Sequence, residues 1–216
     1  MAEKNPQLFI KPLSTSRLEA FSDGVFAIAI TLLVLEIKLP HAVGGEHISL
    51  ANQLFSQWAS YLAYFVSFLM IGIYWVNHHY VFRFYRGTNH VFNLLNIFFL
   101  MCISFLPFPT AVISEYIEVA GEEHIAVMFY AFGLLLPAFS FCLMWLYASG
   151  DYRLIDRRLD ETFVRHIRRQ YSASVLIYSF TVLISWWSWK IGLAACMGLT
   201  LLYLLPSKEP VWHEEK

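Results

Sequence analysis

Hydroxyl and ionisable side chains open an otherwise apolar segment near the N-terminus, RLEAFSDGVFAIAITLLVLEIKLP at 17–40. Ser22 and Asp23 are residue types that cap helices, because a short polar side chain accepts hydrogen bonds from the free backbone N–H groups at a helix N-terminus. Arg17 lies six residues before Asp23 and could act as its counter-ion if the chain turns back. Thr31 lies within the apolar run, where its hydroxyl either bonds back to its own helix or offers an oxygen to a passing cation.

Two adjacent histidines, His78 and His79, are the other residues in the sequence that are candidates for metal binding or catalysis. On a helix they point about 100° apart, so they do not form one ligand face. No cysteine or carboxylate stands at metal-ligand spacing beside them. We therefore expect a packing and hydrogen-bonding role for this pair, and we predict no metal site, no cofactor and no enzyme activity.

The elements that must position these residues are membrane spans. Of 216 residues 58% are hydrophobic and 14% are charged, whereas a soluble domain carries about 25% charged residues. The net charge of −1 gives no indication of a nucleic-acid partner. A bilayer needs about 20 mostly apolar residues per helix. The sequence predicts one all-α membrane domain over 1–216, with six spans at 21–39, 54–76, 91–114, 125–148, 173–187 and 189–205.

Basic residues are concentrated on one side of the predicted membrane. All but two of the 15 Lys and Arg residues lie on the side of the two termini, and the exceptions are Lys38 and Lys190. The positive-inside rule then predicts that both termini are cytoplasmic. The segment at 149–171 is predicted to be a solvated loop and helix on that side. Three of its arginines are candidates for contact with anionic lipids: Arg165, Arg168 and Arg169.

A stripe of residues at helical spacing follows the first span. Its members occur at i, i+3, i+4 and i+7 and therefore share one face: Ile28, Thr31, Leu32 and Leu35. Such a stripe either packs against neighbouring helices or surrounds a symmetry axis, where an apolar ring closes a pore by excluding water. Periodicity leaves both interpretations open, because every membrane helix has a stripe of this kind.

Two motifs narrow the choice of function. R-x-x-x-F-S-D begins the first span, and W-x-x-H-x-x-x-F ends the second. Together with the six-span plan, they resemble the signature of the transmembrane-protein-175 potassium channel family, which comprises the lysosomal potassium channel of animals and its bacterial and archaeal relatives. The resemblance covers nearly the whole chain. The motif residues are Arg17, Phe21, Ser22, Asp23, Trp75, His78 and Phe82.

The resemblance implies a prokaryotic single-unit member that assembles as a homotetramer in the plasma (inner) membrane. It implies that the first helix lines a central pore without a P-loop filter, and that the permeant ion is K⁺. The narrowest apolar ring falls at Ile28, with K⁺ passing near Thr31 and with further pore-facing residues at Leu32 and Leu35. The motif residues form a structural network: Arg17, Phe21, Ser22, Asp23 and His78.

We therefore predict a modestly selective, leak-like potassium channel, surrounded by membrane lipids and permeable to monovalent cations. The alternative is a secondary transporter or proton-coupled carrier, which would need ionisable groups near the bilayer midplane. The first span offers only Glu36 near its outer end and Asp23 near its inner end. A membrane enzyme is a third possibility, for which His78 and His79 are the only sign.

Overall fold

The computed structural model describes residues 14–38, 49–205, 209, 210 and 212. These residues form eight α-helices, and their only β pairing is two isolated bridges. The all-α prediction is thus confirmed. A short 3₁₀ turn follows α1 at Leu33–Glu36, and another follows α6 at Gly150–Tyr152. In chain order the helices are α1 (Ser16–Leu32), α2 (Leu50–Ser56), α3 (Trp58–Phe82), α4 (His90–Phe105), α5 (Pro107–Tyr116), α6 (Glu123–Ser149), α7 (Glu161–Trp187) and α8 (Trp189–Tyr203).

The first helix begins at Ser16, earlier than the predicted start of the first span at 21. Thr15 stands at its N-cap position, so the interpretation of Ser22 and Asp23 as helix caps is wrong. Ser22 Oγ instead donates to the carbonyl of Leu18 at 2.8 Å, as a serine inside a helix commonly does. Leu39, the last residue of the predicted span, lies outside the described residues.

Two predicted spans are interrupted. The second contains a break at Gln57 between α2 and α3, after which α3 runs unbroken to Phe82. The third breaks at Leu106, and Pro107 begins α5. A proline has no backbone N–H to continue α4, but it is well tolerated in the first turn of a new helix.

More residues are buried on α6 than on any other described helix, and α6 packs against α4, α5, α7 and α8. Gly133 sets its distance from α5, because a Cβ at this position would lie 2.6 Å from Pro109 Cγ. Only a glycine allows the two helices to approach this closely. Pro137 lies one turn further along α6 without ending it.

The last two helices are joined by a single residue, Ser188, which caps α8. α7 begins at Glu161, where the Asp160 carboxylate accepts from the backbone N–H groups of Thr162 and Phe163 at 2.8 and 3.1 Å. The fifth predicted span starts only at 173, because the first turns of α7 are charged and hydropathy does not distinguish them from a loop.

Within the described part of the chain, four helical segments have the length and apolar composition to cross a bilayer. They are Ser16–Glu36, Trp58–Phe82, His90–Tyr116 and Glu123–Tyr152. α7 has 27 residues but begins with charged ones, and α8 is a shorter apolar helix. The protein is therefore an integral membrane protein by composition and fold.

We call the end of the bundle where α3 and α6 finish and α7 begins the basic end. Here the Asp156 carboxylate accepts from Arg158 at 2.8 Å and from Arg86 at 3.0 Å. Backbone bonds join the same loops, from Arg86 N to Leu154 O and from Asp156 N to Phe84 O. The hydrogen bonds from Arg158, assisted by Arg86, hold the pKa of Asp156 well below its ordinary value.

At the opposite end, polar contacts join the segment after α1 to α5, and the start of α3 to the segment just after α5. Lys38 forms an ion pair with Glu115, and Trp58 Nε1 donates to Glu118 Oε1 at 2.6 Å. Two of the four glutamates in the segment 115–123 are therefore engaged in contacts between elements.

Candidate functional site

One face of α1 is uncovered in the single chain. Ile28 is 61% exposed and Leu35 is 69% exposed. Thr31 and Leu32, the other members of the predicted stripe, are exposed as well. We call these four residues the α1 stripe. Ile28, Thr31 and Leu32 lie on α1 itself, and Leu35 lies in the 3₁₀ turn that follows α1. Phe21 and Gly24 continue the same face toward the basic end, and they too are exposed.

The opposite face of α1 is attached to the rest of the chain. Ser22, Phe26, Ala29 and Leu33 are buried, and they recur at the spacing of one helix face. α1 packs through this face on α3 and α4. The helix is therefore held on one side while it presents an apolar surface on the other.

Thr31 is both bonded to its own helix and exposed on the stripe. Its Oγ1 lies 2.8 Å from the carbonyl oxygen of Ala27 and 2.9 Å from that of Ile28. The hydroxyl proton is directed into the helix backbone by these contacts. The lone pairs of the oxygen are left available to a group outside the helix, such as a cation.

A buried hydrogen-bond chain across three helices, here called the α1 anchor, fixes α1 in place. Asn96 Nδ2 of α4 donates to Ser22 Oγ at 3.0 Å. His78 Nε2 of α3 lies 2.9 Å from Asn96 Oδ1. All three side chains are at most 2% exposed. Since Asn96 Oδ1 can only accept, the imidazole donates from Nε2.

Aromatic rings enclose the imidazole of His78. Phe82 stacks on it with ring centroids 4.1 Å apart, and Phe99 lies parallel at 5.7 Å. Phe26 of α1 meets it edge-on at 5.7 Å. The histidine is thus a packed and hydrogen-bonded residue, with no group of metal ligands around it among the described residues.

The remaining motif residues lie around this anchor. Trp75 Nε1 donates to Asp23 Oδ1 at 2.9 Å, which joins the two motifs directly. Arg17 is exposed and makes no ion pair with a described residue. It borders, together with Phe21, an open cleft lined by Asn93 and Ile97 of α4. Arg17 and Asp23 are therefore not paired with each other.

Asn96 is the member of the anchor that the sequence analysis missed. It lies in the apolar run of α4, 74 residues from Ser22 and 18 from His78. Its one sequence signal is its residue type, because an amide within a membrane helix needs a hydrogen-bond partner.

Comparison with known proteins agrees with these motifs. A family model described as the endosomal/lysosomal potassium channel TMEM175 matches residues 17–107. A potassium channel of Streptomyces collinus is 41% identical over 197 residues, which are 91% of this chain and 94% of that relative. The chain belongs to the TMEM175 family. The resemblance inferred from the two motifs is confirmed.

This TMEM175 chain is also similar to a bacterial relative of known structure and to an animal relative. The crystal structure of a lysosomal potassium-selective channel TMEM175 homolog from Chamaesiphon minutus is similar with a TM-score of 0.79 and 38% identity. That match covers 88% of this chain and 96% of the homolog. An endosomal/lysosomal proton channel TMEM175 of Gallus gallus is 42% identical over 119 residues, 52% of this chain and 24% of that relative.

The segment matched by the TMEM175 family model contains the whole anchor. It begins at Arg17 and includes Ser22, His78 and Asn96. The family signature therefore coincides with the residues that hold α1 against α3 and α4.

Proposed function

We propose that this protein is the subunit of a potassium-permeable channel whose pore is lined by α1. The observation that carries the proposal is the α1 stripe, an apolar and exposed surface on a helix whose other face is fixed by a buried polar anchor. A helix that faces lipid can expose a similar apolar surface, and the exposed Thr31 oxygen within this stripe favours the pore for α1. The potassium channels among its relatives support K⁺ as the permeant ion, and conduction requires no cofactor and no covalent step.

The proposed membrane arrangement has six spans with both termini in the cytoplasm. The four long apolar segments supply four of them, and α7 and α8 supply the fifth and sixth. The basic end then faces the cytoplasm, as the positive-inside rule expects. In a prokaryotic cell the corresponding membrane is the plasma membrane.

We propose a homotetramer around the α1 stripe. Homo-oligomers usually have closed rotational symmetry. Four copies of α1 with the same exposed face turned toward the axis would enclose a central pore. The stripe then faces the axis rather than lipid, and each subunit contributes one Ile28 to a ring. The four-fold number comes from the family resemblance, whereas the exposed face supports association in general.

In this arrangement, the hydration of the narrowest part of the pore determines whether an ion can pass. Four Ile28 side chains form an apolar constriction, and a cation that loses water beside hydrocarbon meets a large barrier. Widening the ring enough to admit water removes that barrier. The Thr31 oxygens, three residues away, replace part of the lost hydration. Because no ring of backbone carbonyls is involved, we expect modest selectivity.

Potassium flux from liposomes that contain the purified protein tests this function. Ile28→Asn wets the constriction and is expected to raise conductance several-fold, and bi-ionic recording gives the K⁺ to Na⁺ ratio. Val34→Asn is the matched control, since Val34 is 51% exposed but lies off the stripe. Unchanged conductance in Ile28→Asn would contradict the constriction. Saturable flux that requires a counter-ion would favour a transporter instead.

A further inference from the structure

The exposed face of α7 changes from basic to apolar along its length. Leu176, Phe180 and Leu183 are each more than 60% exposed, and they follow one another at i, i+4 and i+7 on one side of the helix. Arg165 and Arg169 continue this line toward the basic end, and Arg168 lies beside them. All three arginines are exposed. We call this surface the α7 lipid face.

The length of the apolar part matches a bilayer. From Arg169 to Trp187 the helix rises about 27 Å, and the hydrocarbon core of a membrane is about 30 Å thick. Trp186 and Trp187 are exposed at the far end, where aromatic side chains favour the interface. The arginines, at the basic end, are then level with the phospholipid headgroups of the leaflet opposite to the one that Trp186 and Trp187 reach.

The charges of the three arginines are only partly compensated. Arg165 pairs with Glu161 one turn earlier at 2.7 Å, whereas Arg168 and Arg169 form no ion pair with a described residue. Arg165 and Arg169 are four residues apart on the helix, and like charges at this spacing repel. A bound anion beside Arg168 and Arg169 would offset this cost.

We propose that the α7 lipid face binds an anionic phospholipid whose phosphate is contacted by the guanidinium groups of Arg168 and Arg169. Adjacent residues leave a helix about 100° apart, but the long arginine side chains, unlike histidine rings, reach far enough to converge on one phosphate. Guanidinium binds phosphate through paired hydrogen bonds. The acyl chains follow the apolar line of Leu176, Phe180 and Leu183. The site rests on the membrane arrangement proposed above, but it requires no ion conduction, so its test is independent of flux.

Native mass spectrometry of delipidated protein in detergent, titrated with phosphatidylglycerol or phosphatidylcholine, tests the proposal. The full chain is expected to bind phosphatidylglycerol more tightly than phosphatidylcholine. Each arginine beside an anionic surface contributes about a fivefold gain in binding. The variant R168Q/R169Q should therefore lose about 25-fold of its affinity for phosphatidylglycerol and keep its affinity for phosphatidylcholine.

Two further variants make the result specific. R168K/R169K keeps the charge but cannot form the paired hydrogen bonds, so it should lose part of the preference for phosphatidylglycerol, less than R168Q/R169Q loses. R153Q/R157Q removes the same charge from the loop before α7 and should retain the preference. An equal loss in R153Q/R157Q would mean diffuse attraction and overturn the site, as would an unchanged preference in R168Q/R169Q. Potassium flux through the same preparations reports separately on the proposed channel.

Discussion

At the scale of single residues, Asn96 joins the two halves of the family signature. It donates to Ser22 and accepts from His78, both of which are buried. Without it, the buried imidazole of His78 would lose its hydrogen-bond acceptor and Ser22 would lose its link to α4, although the Ser22 hydroxyl would still donate to Leu18. The attachment of α1 to the bundle therefore depends on a residue outside both motifs.

Asn96→Leu tests this dependence, because leucine is similar in size but forms no hydrogen bond. We expect the free energy of unfolding to fall by about 1–3 kcal/mol, since the N–H group of His78 would be buried without a partner and one such group costs about that much. Thermal unfolding in detergent measures the change. Asn93→Leu is the control, because Asn93 Oδ1 is buried without a partner among the described residues, and its loss should cost little. Equal effects of both substitutions would refute the special role of Asn96.

At the scale of elements, the contact of α5 with α6 depends on the missing side chain of Gly133. Gly133→Ala would place a methyl group 2.6 Å from Pro109 Cγ, which forces the helices apart. Overpacking of this kind costs about 1–3 kcal/mol, so the melting temperature should fall by several degrees. Gly198→Ala on α8 has open space around the added methyl and should leave stability unchanged or slightly raised. A stable Gly133→Ala protein would show that α5 yields without cost.

The loops at the basic end depend on Asp156, whose pKa is lowered by Arg158 and Arg86. A lowered pKa in the folded state means that the stabilisation is fully present above the unfolded pKa of about 3.9 and is lost as pH falls from there through the folded pKa. Asp156→Asn should lower the melting temperature at pH 7, and its difference from the unmodified protein should begin to narrow only below about pH 4. Melting curves across this range measure it. Asp151→Asn in the same loop is the control, because Asp151 forms no ion pair with a described residue, and it should leave the melting temperature at pH 7 nearly unchanged.

The sequence predicts the positions of the helices better than it predicts the contacts between them. Apolar runs locate α3, α4 and α6 because the bilayer requires their length. Hydropathy misses the start of α7, since its first turns are charged although helical. It also misses the start of α1, because Arg17, Glu19 and Asp23 belong to the helix itself. The pairing of Ser22 with Asn96 leaves no periodic signal, because it joins helices far apart in the chain.

At the scale of the whole molecule, the α1 stripe predicts where subunits meet. Leu35→Cys places a thiol on the exposed stripe, so mild oxidation should cross-link neighbouring copies into disulfide-linked dimers. Phe180→Cys on the α7 lipid face is equally exposed but should remain uncross-linked. The three native cysteines are buried and free, so they should give no background. Gel electrophoresis without reductant measures the result, and cross-linking through Phe180→Cys alone would reverse the proposed arrangement.

The α1 anchor also has a consequence for the order of events during synthesis. The first helix leaves the ribosome before α3 and α4, yet Ser22 finds its partner only after Asn96 has been added, 74 residues later. At about 5–20 residues per second, α1 waits for several seconds in an undocked state. During that interval the hydroxyl of Ser22 is already satisfied by the carbonyl of Leu18. The same serine that joins the helices in the finished protein thus allows α1 to enter the membrane alone.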